Sequence, residues 1–209
     1  MRLSTTSSVE KILYGSGNET SGDVMNANDM DNVHMETNKL PHYDGSDNPT
    51  GCCPRFNPDG WDGRELHFEN KRFVKAGTRS VFHIPINMGS VFAKTFTDIQ
   101  EAGADSDEEA IVLSRDTSSW KGEHYFAVTK DVPGHGSVLL SGDYLTRVFE
   151  GPYRDVPKWE RAINADAESK GLHVRKNYYF YTTCPKCAKV YGKNYVVAIA
   201  EVEPAGVAV

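Results

Sequence analysis

The sequence lacks the features that direct a chain to a membrane, to a secretory route or to nucleic acid. No apolar run approaches the ~20 residues that a membrane-spanning helix needs, and the N-terminal region has no apolar segment of the kind found in secretory signals. The net charge is −6, whereas general binding to phosphates requires a basic face. We therefore expect a soluble cytoplasmic protein without membrane or nucleic-acid partners. The composition carries no signal for an oligomeric state.

Signatures of several common enzyme classes are also missing. The chain has no G-x-S-x-G elbow, no Walker loop and no dinucleotide-binding fingerprint. These absences argue against a serine hydrolase of the common kind, a nucleotide hydrolase and a Rossmann oxidoreductase. Residues 1–50 are too polar to form a helix-turn-helix ahead of the folded part, which argues against a transcription factor acting alone.

Cysteine is absent except at four positions, which form two tight pairs. Cys52 and Cys53 are adjacent, and Cys184 and Cys187 form a C-x-x-C. Cysteines used only as buried hydrophobic residues would be scattered singly. Two pairs far apart in sequence indicate thiols gathered for a metal or for redox chemistry.

A structural zinc ion is the best single interpretation of these four cysteines, because zinc favours four sulfur ligands in a tetrahedron. Adjacent cysteines on one metal require an awkward backbone, so His67 or water is an alternative to one of them. A redox C-P-x-C pair is the second interpretation, although thiol activation normally uses a helix N-terminus and this pair lies between two predicted strands. Free thiols or a non-catalytic disulfide are the third.

Composition divides the chain into three parts. Residues 1–48 are rich in Ser, Thr, Asn, Asp and Gly, and residues 15–38 show no hydrophobic period, so we predict a disordered tail there. Residues 49–72 form an arm that carries the first cysteine pair, and residues 73–204 form the main domain.

Hydrophobic periodicity predicts the same order of elements twice within the folded part, namely strand, helix, strand, strand. Asn87 begins the first helix and Gly103 ends it, whereas Pro157 and Gly171 bound the second. Each half alone would leave one sheet face uncovered. We therefore predict an α+β fold in which two β-α-β-β units pack together as a pseudo-twofold domain. The predicted strands are residues 66–74, 79–85, 110–113, 124–128, 137–149, 174–183 and 195–202.

Two segments carry a family resemblance. Residues 123–133 (EHYFAVTKDVP) lead into residues 140–153 (LSGDYLTRVFEGPY), and a Trp-bearing helix follows. This arrangement resembles the GyrI-like small-molecule-binding domains over residues 73–202. The flanking segments CCPRFNPDGWDG and TTCPKCAKVYGKNYVV resemble a narrower branch of uncharacterised proteins labelled hydrolases. The resemblance implies two β-α-β-β units around a central cleft, and it implies that some members hydrolyse reactive small molecules whereas others only bind them.

The aromatic segment 178–181 supplies the main ligand-binding candidates. Strand alternation sends Tyr179 and Tyr181 to one face and the residues between them to the other. Two phenols on a cleft face can hold an aromatic or cationic ligand, although aromatic residues also simply fill sheet cores. The resembled family often has an acidic residue near the place of Tyr179. This chain departs from that pattern, which argues against recognition of a cation and against chemistry that depends on a glutamate there.

Other candidate residues surround the expected cleft. Trp120 and His124 flank a hairpin that, by the family resemblance, forms the rim of the pocket, and Tyr153 follows the Gly-Pro turn after Glu150. Glu150, His83 and the Tyr179 phenol are the candidates for activating a water molecule. A solvated loop glutamate and a satisfied strand histidine are the plain alternatives for the first two.

The sequence therefore predicts a protein that binds a small molecule. It also makes the protein a candidate hydrolase, whose substrate would be a reactive or aromatic small molecule. One alternative is a non-catalytic binding or sequestering module with a structural zinc site. The other is a thiol-disulfide redox protein.

Overall fold

Six long strands and two long helices position the candidate site. The computed structural model describes residues 36–82, 84–106 and 110–206, apart from the side chain of Ile84. Within these residues the strands are β1 (Glu65–Val81), β2 (Ile84–Pro85), β3 (Val112–Ser118), β4 (Lys121–Ala127), β5 (Ser137–Glu150), β6 (Leu172–Tyr181) and β7 (Tyr195–Pro204). The helices are α1 (Met88–Glu101), α2 (Val156–Ser169) and α3 (Pro185–Tyr191).

The predicted repeat of strand, helix, strand, strand is present, and the α+β class is confirmed. The first unit consists of β1, α1, β3 and β4, and the second consists of β5, α2, β6 and β7. In the first unit β4 pairs with both β1 and β3, and in the second unit β7 pairs with both β5 and β6. All four pairings are antiparallel. The two units therefore have the same internal connectivity, as a pseudo-twofold arrangement requires.

Two contacts between the units close the sheet on itself. The long strands β1 and β5 pair over most of their length, and Ser114 of β3 pairs with Tyr179 of β6 on the other side. The six long strands thus form a continuous circuit, and the short β2 extends it at the end of β1. Closure of this kind leaves an interior that side chains fill.

Alternation along the strands separates the interior from the outer face. One cluster of buried side chains draws on all six long strands and therefore fills the interior: Leu66, Phe68, Phe73, Leu113, Tyr125, Tyr144, Tyr178, Phe180, Val197 and Ile199. Residues of opposite parity lie outside, where Val74 and Phe126 pack against Ile99 of α1. Likewise, Leu145 and Val196 pack beneath α2.

The chain before β1 also contributes to the interior. Phe56 and Trp61 are buried in the same cluster, and Leu40 and Tyr43 pack against it. The Trp61 indole N–H donates to the backbone carbonyl of His42 at 3.3 Å. In the structure the N-terminal arm comprises residues 36–64, whereas residues 49–72 are predicted from the sequence, because β1 already begins at Glu65. Residues 36–48 therefore lie on the domain instead of belonging to the predicted tail, because their apolar side chains complete an aromatic core. Residues 1–35 lie outside the described part of the chain.

Two local predictions differ from the structure. Residues 66–74 and 79–85 are predicted as separate strands, but residues 66–81 belong to one strand, β1, and residues 84–85 form β2. The register of β1 shifts between Phe68 and Lys71, where Asn70 has a φ of +50°. The C-x-x-C is predicted to lie between two strands and away from a helix N-terminus, but residues 185–191 form α3 with Cys184 as its N-cap residue, so the pair does lie at a helix N-terminus. Pro185 suits the first helical turn, and Gly192, with a φ of +68°, ends the helix in the left-handed conformation.

The helix starts agree with the sequence, with one difference at α1. Asn87 is the N-cap residue, but its side-chain oxygen accepts from the backbone N–H of Arg79 at 2.7 Å instead of capping the helix. This bond ties the start of α1 to the end of β1. None of the helices in the described part of the chain has the length and apolar character that a membrane crossing requires.

Removing the arm's largest aromatic side chain tests whether the arm belongs to the core. Trp61 is 1% exposed, so we expect Trp61→Ala to lower the free energy of unfolding by about 3–5 kcal/mol. Chemical denaturation measures this change. Trp120→Ala is the matched control, because Trp120 is 53% exposed and its loss should cost less than about 1 kcal/mol. Equal effects of the two substitutions would contradict the placement of the arm.

Candidate functional site

The candidate site is a strip of the outer sheet face between the region under α1 and the region under α2. His124 pairs with Ser114 across β4 and β3, and Ser114 pairs with Tyr179 of β6. Directly paired residues point to the same side of a sheet, so these three side chains form one row. Thr78 and Asp116 lie beside the row. We call His124, Ser114, Tyr179, Thr78 and Asp116 the strip.

His124 is held in the strip as a buried, doubly hydrogen-bonded side chain. Its Nε2 lies 2.9 Å from the Thr78 hydroxyl, and its Nδ1 lies 2.9 Å from the Ser114 hydroxyl. Burial lowers the pKa of His124 to about 4, and the Asp116 carboxylate partly opposes this shift. The imidazole is therefore neutral at physiological pH. The ring of Phe92, from α1, contacts it edge-on at 4.9 Å.

The predicted alternation of the aromatic segment is confirmed. Tyr179 belongs to the cluster beneath α2, and Tyr181 packs against that cluster. Their rings lie 6.2 Å apart in a stacked arrangement. Burial raises the pKa of both phenols, so both stay protonated at neutral pH and can donate hydrogen bonds. Tyr178 and Phe180 point into the interior instead.

The Tyr179 hydroxyl is buried and has no hydrogen-bond partner among the residues that the structure describes. Leaving a buried hydroxyl unpaired costs about 1–3 kcal/mol. A buried donor in this state needs a partner that the protein itself does not supply, such as water or a ligand. Tyr144 in the interior has an unpaired hydroxyl as well, but it faces away from the strip.

Two carboxylates from different elements contribute to the raised pKa values of Tyr179 and Tyr181. Glu160 of α2 and Asp116 of β3 both contribute to the raised pKa of Tyr179, after burial itself. Asp116 does the same for Tyr181. Asp116 is exposed to solvent. Position 179 carries no carboxylate, but Glu160 of α2 and Asp116 of β3 place negative charge near it.

Gly122 keeps the centre of the strip open. It sits opposite Thr78 on β1 and opposite Asp116 on β3. A Cβ at this position would lie 2.8 Å from the Thr78 hydroxyl oxygen and 3.4 Å from His124 Nε2. Any larger residue would therefore push apart the polar groups of the strip.

The structure brings only some of the predicted residues together. His124, Tyr179 and Tyr181 share the strip face, and the Tyr153 ring contacts Tyr181 edge-on at 5.5 Å. The Tyr153 hydroxyl donates to the carbonyl of Thr183 at 2.5 Å. Tyr153 therefore lies at the border of the strip.

The remaining predicted residues lie elsewhere or outside the description. Trp120 is 53% exposed, and its ring lies 5.2 Å from the Phe82 ring in a tilted arrangement beyond the end of the strip. Glu150 is half-exposed at the end of β5, where its carboxylate lies 4.0 Å from the Lys193 ammonium. It lines two shallow depressions of about 430 and 320 Å³. His83 lies outside the described residues.

Ser114, Thr78, Asp116, Gly122 and Glu160 were not singled out from the sequence. The available signal was the presence of polar residues at alternate positions of β3, namely Ser114 and Asp116. Their meaning depends on which strand lies beside β3, and the pairing of β3 with β6 is a long-range contact that periodicity does not reveal.

The four cysteines form a second candidate site. Their Sγ atoms all lie within 4.8 Å of one another, a separation compatible with metal binding. Both Cys52 and Cys53 take part, so neither His67 nor water is needed to complete a set of four. His67 instead lies 2.7 Å from Asp143 through Nδ1.

Comparison with known proteins places the chain in a family. Residues 43–202 match the model of the family described as bacterial hydrolase, and the chain belongs to that family. Six solved chains match it, among them an uncharacterized conserved protein from Listeria innocua. That match has a TM-score of 0.50 and 11% identity, and covers 68% of this chain and 93% of that one. It shows a shared fold.

Another match is the structure of SAV2435 bound to tetraphenylphosphonium. It has a TM-score of 0.39 and 10% identity, and it covers 68% of this chain and 94% of that one. No curated protein matches this chain.

The buried state of His124 predicts a pH dependence of stability. The unfolded state has a His pKa near 6.5, so as the pH falls below about 6.5 the unfolded state binds a proton that the folded state, with its pKa of about 4, does not. Stability is therefore fully present above pH ~6.5 and falls as the pH decreases toward 4. Between pH 7 and 4.5 we expect His124 to account for a loss of about 2–3 kcal/mol.

Denaturation of the native protein and of His124→Gln at both pH values measures this loss as the difference between the two. His173→Gln is the control, because His173 is exposed and should leave the pH dependence unchanged. If His124→Gln shows the same slope as the native protein, the imidazole is not buried in its neutral form.

Proposed function

We propose that the chain binds a small molecule on the strip, and that the ligand carries an aromatic ring together with a cationic or hydrogen-bond-accepting group. The observation that carries this proposal is the unpaired Tyr179 hydroxyl, which is buried at the β6 end of the row. A ligand acceptor at this point would supply the hydrogen bond that the folded chain leaves unmade.

The surroundings of Tyr179 support an aromatic ligand. Tyr181 is stacked beside it, and Phe92 of α1 contacts His124 at the other end of the row. Phe96, next to Phe92, is 46% exposed. Phe92 and Phe96 contact each other edge-on at 6.2 Å. Aromatic side chains on both sides of a polar floor can sandwich a flat ring and exclude water around it.

The charges around the strip support a cationic ligand. Asp116 and Glu160 both face the Tyr179 phenol, and His124 is neutral, so no positive charge in the strip opposes them. A cation over aromatic faces near a carboxylate gains from both interactions. The resemblance of residues 73–202 to GyrI-like domains also supports small-molecule binding.

Hydrolysis of the bound molecule is the second candidate function, and membership in a family described as bacterial hydrolase favours it. Asp116 is exposed and acts electrostatically on both phenols. In this scheme the oxygen of a water molecule bonds to the carbonyl carbon of an ester, Asp116 takes the proton from that water, and Tyr179 donates a hydrogen bond to the carbonyl oxygen as it gains charge. The carbonyl then re-forms, the bond to the leaving alcohol or phenol breaks, and Asp116 gives its proton to the leaving oxygen or to solvent. Of the residues predicted from the sequence, only Tyr179 retains a role in this scheme. Glu150 lies outside the strip and His83 lies outside the described residues, so their catalytic roles stay predictions.

Removing the Tyr179 hydroxyl tests the binding proposal. We expect Tyr179→Phe to weaken binding of an aromatic ligand about 2- to 10-fold, since one hydrogen bond contributes about 0.5–1.5 kcal/mol. Fluorescence titration with rhodamine 6G, a flat aromatic cation, and with a neutral coumarin measures the effect and the preference for charge. We expect the cation to bind more tightly.

Tyr144→Phe is the matched control, because it removes the other buried, unpaired phenol, which lies in the interior. Both variants should be as stable as the native protein or slightly more so, since each loses an unsatisfied group. Equal affinities for Tyr179→Phe and the native protein, or equal losses in the two variants, would contradict binding at the strip.

Neutralising Asp116 tests hydrolysis. If Asp116 accepts the proton from water, Asp116→Asn should lower the rate of hydrolysis of a reactive ester such as p-nitrophenyl acetate by about 10²–10⁴-fold. Release of p-nitrophenol measures the rate. Asp143→Asn is the control, because Asp143 pairs with His67 and is not part of the strip. No turnover by the native protein would leave binding as the function, and unchanged turnover in Asp116→Asn would exclude this role for Asp116.

A further inference from the structure

The cysteine cluster lies apart from the strip and joins two distant segments of the chain. Cys52 and Cys53 belong to the N-terminal arm, whereas Cys184 is the N-cap residue of α3 and Cys187 lies in its first turn. More than 130 residues separate the two pairs in sequence. All four cysteines of the chain meet here, and none is in a disulfide.

The spacing of the sulfur atoms matches a tetrahedral metal site. A zinc ion bound by four thiolates at about 2.3 Å holds the sulfurs about 3.8 Å apart. The separations between neighbouring Sγ atoms are 3.7 Å for Cys52 and Cys53, 4.0 Å for Cys52 and Cys184, and 3.5 Å for Cys184 and Cys187. All remaining pairs lie within 4.8 Å. These distances leave room for an ion at the centre.

Hydrogen-bond donors surround the sulfurs, as in well-ordered thiolate sites. The backbone N–H of Cys184 donates to Cys53 Sγ at 3.4 Å, and the Thr50 hydroxyl lies 3.3 Å from Cys187 Sγ. The Tyr191 hydroxyl lies 3.0 Å from the same Thr50 hydroxyl and donates to the carbonyl of Cys53 at 2.5 Å. These bonds orient both cysteine pairs toward a common point.

We propose that Cys52, Cys53, Cys184 and Cys187 bind one zinc ion, and that this ion fastens the N-terminal arm over the aromatic interior. The arm supplies Phe56 and Trp61 to that interior. Cys53 lies three residues before Phe56, so a fixed Cys53 limits how far the arm can move away. Zinc is favoured over other metals because the donor set is four thiolates with no open position, the pattern of a structural site.

The first experiment measures metal in the full chain, purified without a tag. We expect about one zinc per chain by elemental analysis. Replacement by Co²⁺ should produce the visible absorption bands of a tetrahedral tetrathiolate site. Cys184→Ser should lose the zinc and these bands, whereas Lys189→Ala, an exposed residue on the same helix, should keep both.

The second experiment measures what the ion holds in place, on the native protein, so that a misfolded variant does not decide the result. Hydrogen exchange is followed by mass spectrometry with and without a strong chelator. Chelation should speed exchange in the arm, including the N–H of Arg55 that donates to Asp47 and that of Trp61 that donates to Pro58. Exchange in β7 should stay slow.

Three results would overturn the proposal. The first is a background level of zinc in protein that was grown with added zinc, together with cysteine thiols that react at once without chelation. The second is a mass lower by about 2 Da per bond, which would show that the cysteines form disulfides as in a redox protein. The third is bound zinc whose removal leaves exchange in the arm unchanged, which would separate the metal from the fastening. Loss of dye binding at the strip bears on none of these results.

Discussion

Pairing between β1 and β5 is the interaction on which the rest of this structure depends. Each β-α-β-β unit has an apolar sheet face that it cannot cover alone. Joining the long first strands of the two units makes one sheet, and the contact of Ser114 with Tyr179 closes it. Closure creates an interior that large aromatic side chains fill together with leucine, isoleucine and valine. It also leaves the two helices on the outside, with the strip between them.

The strip exists because the closing contact lies between two strands of different units. That contact places a polar row from the first unit beside the tyrosines of the second. A buried neutral histidine, two hydroxyls and an unpaired phenol would be costly in an ordinary core. The histidine is satisfied by Thr78 and Ser114, whereas the phenol of Tyr179 is not. This difference within one small area is what supports the proposal of ligand binding at the strip.

The cysteine cluster and the strip are linked through Tyr153. The arm fills the interior with Phe56 and Trp61, and the cysteines lie where the arm passes α3. Tyr153 connects the two regions, since its ring contacts Tyr181 and its hydroxyl bonds to Thr183, the residue before Cys184. Metal binding at the cysteines, as proposed above, would therefore also fix one edge of the strip.

The sequence by itself determined the class of fold, the order of elements in both units, the facing of Tyr179 and Tyr181, and the two tight cysteine pairs. These follow from local periodicity and spacing, which act within one strand or one turn. Only the tertiary structure decided that residues 36–48 join the domain, that a helix begins after Cys184, and that Ser114 and Asp116 stand beside Tyr179. Each of these depends on contacts between segments far apart in sequence. Such contacts are set by which apolar surfaces remain to be covered once the local elements have formed.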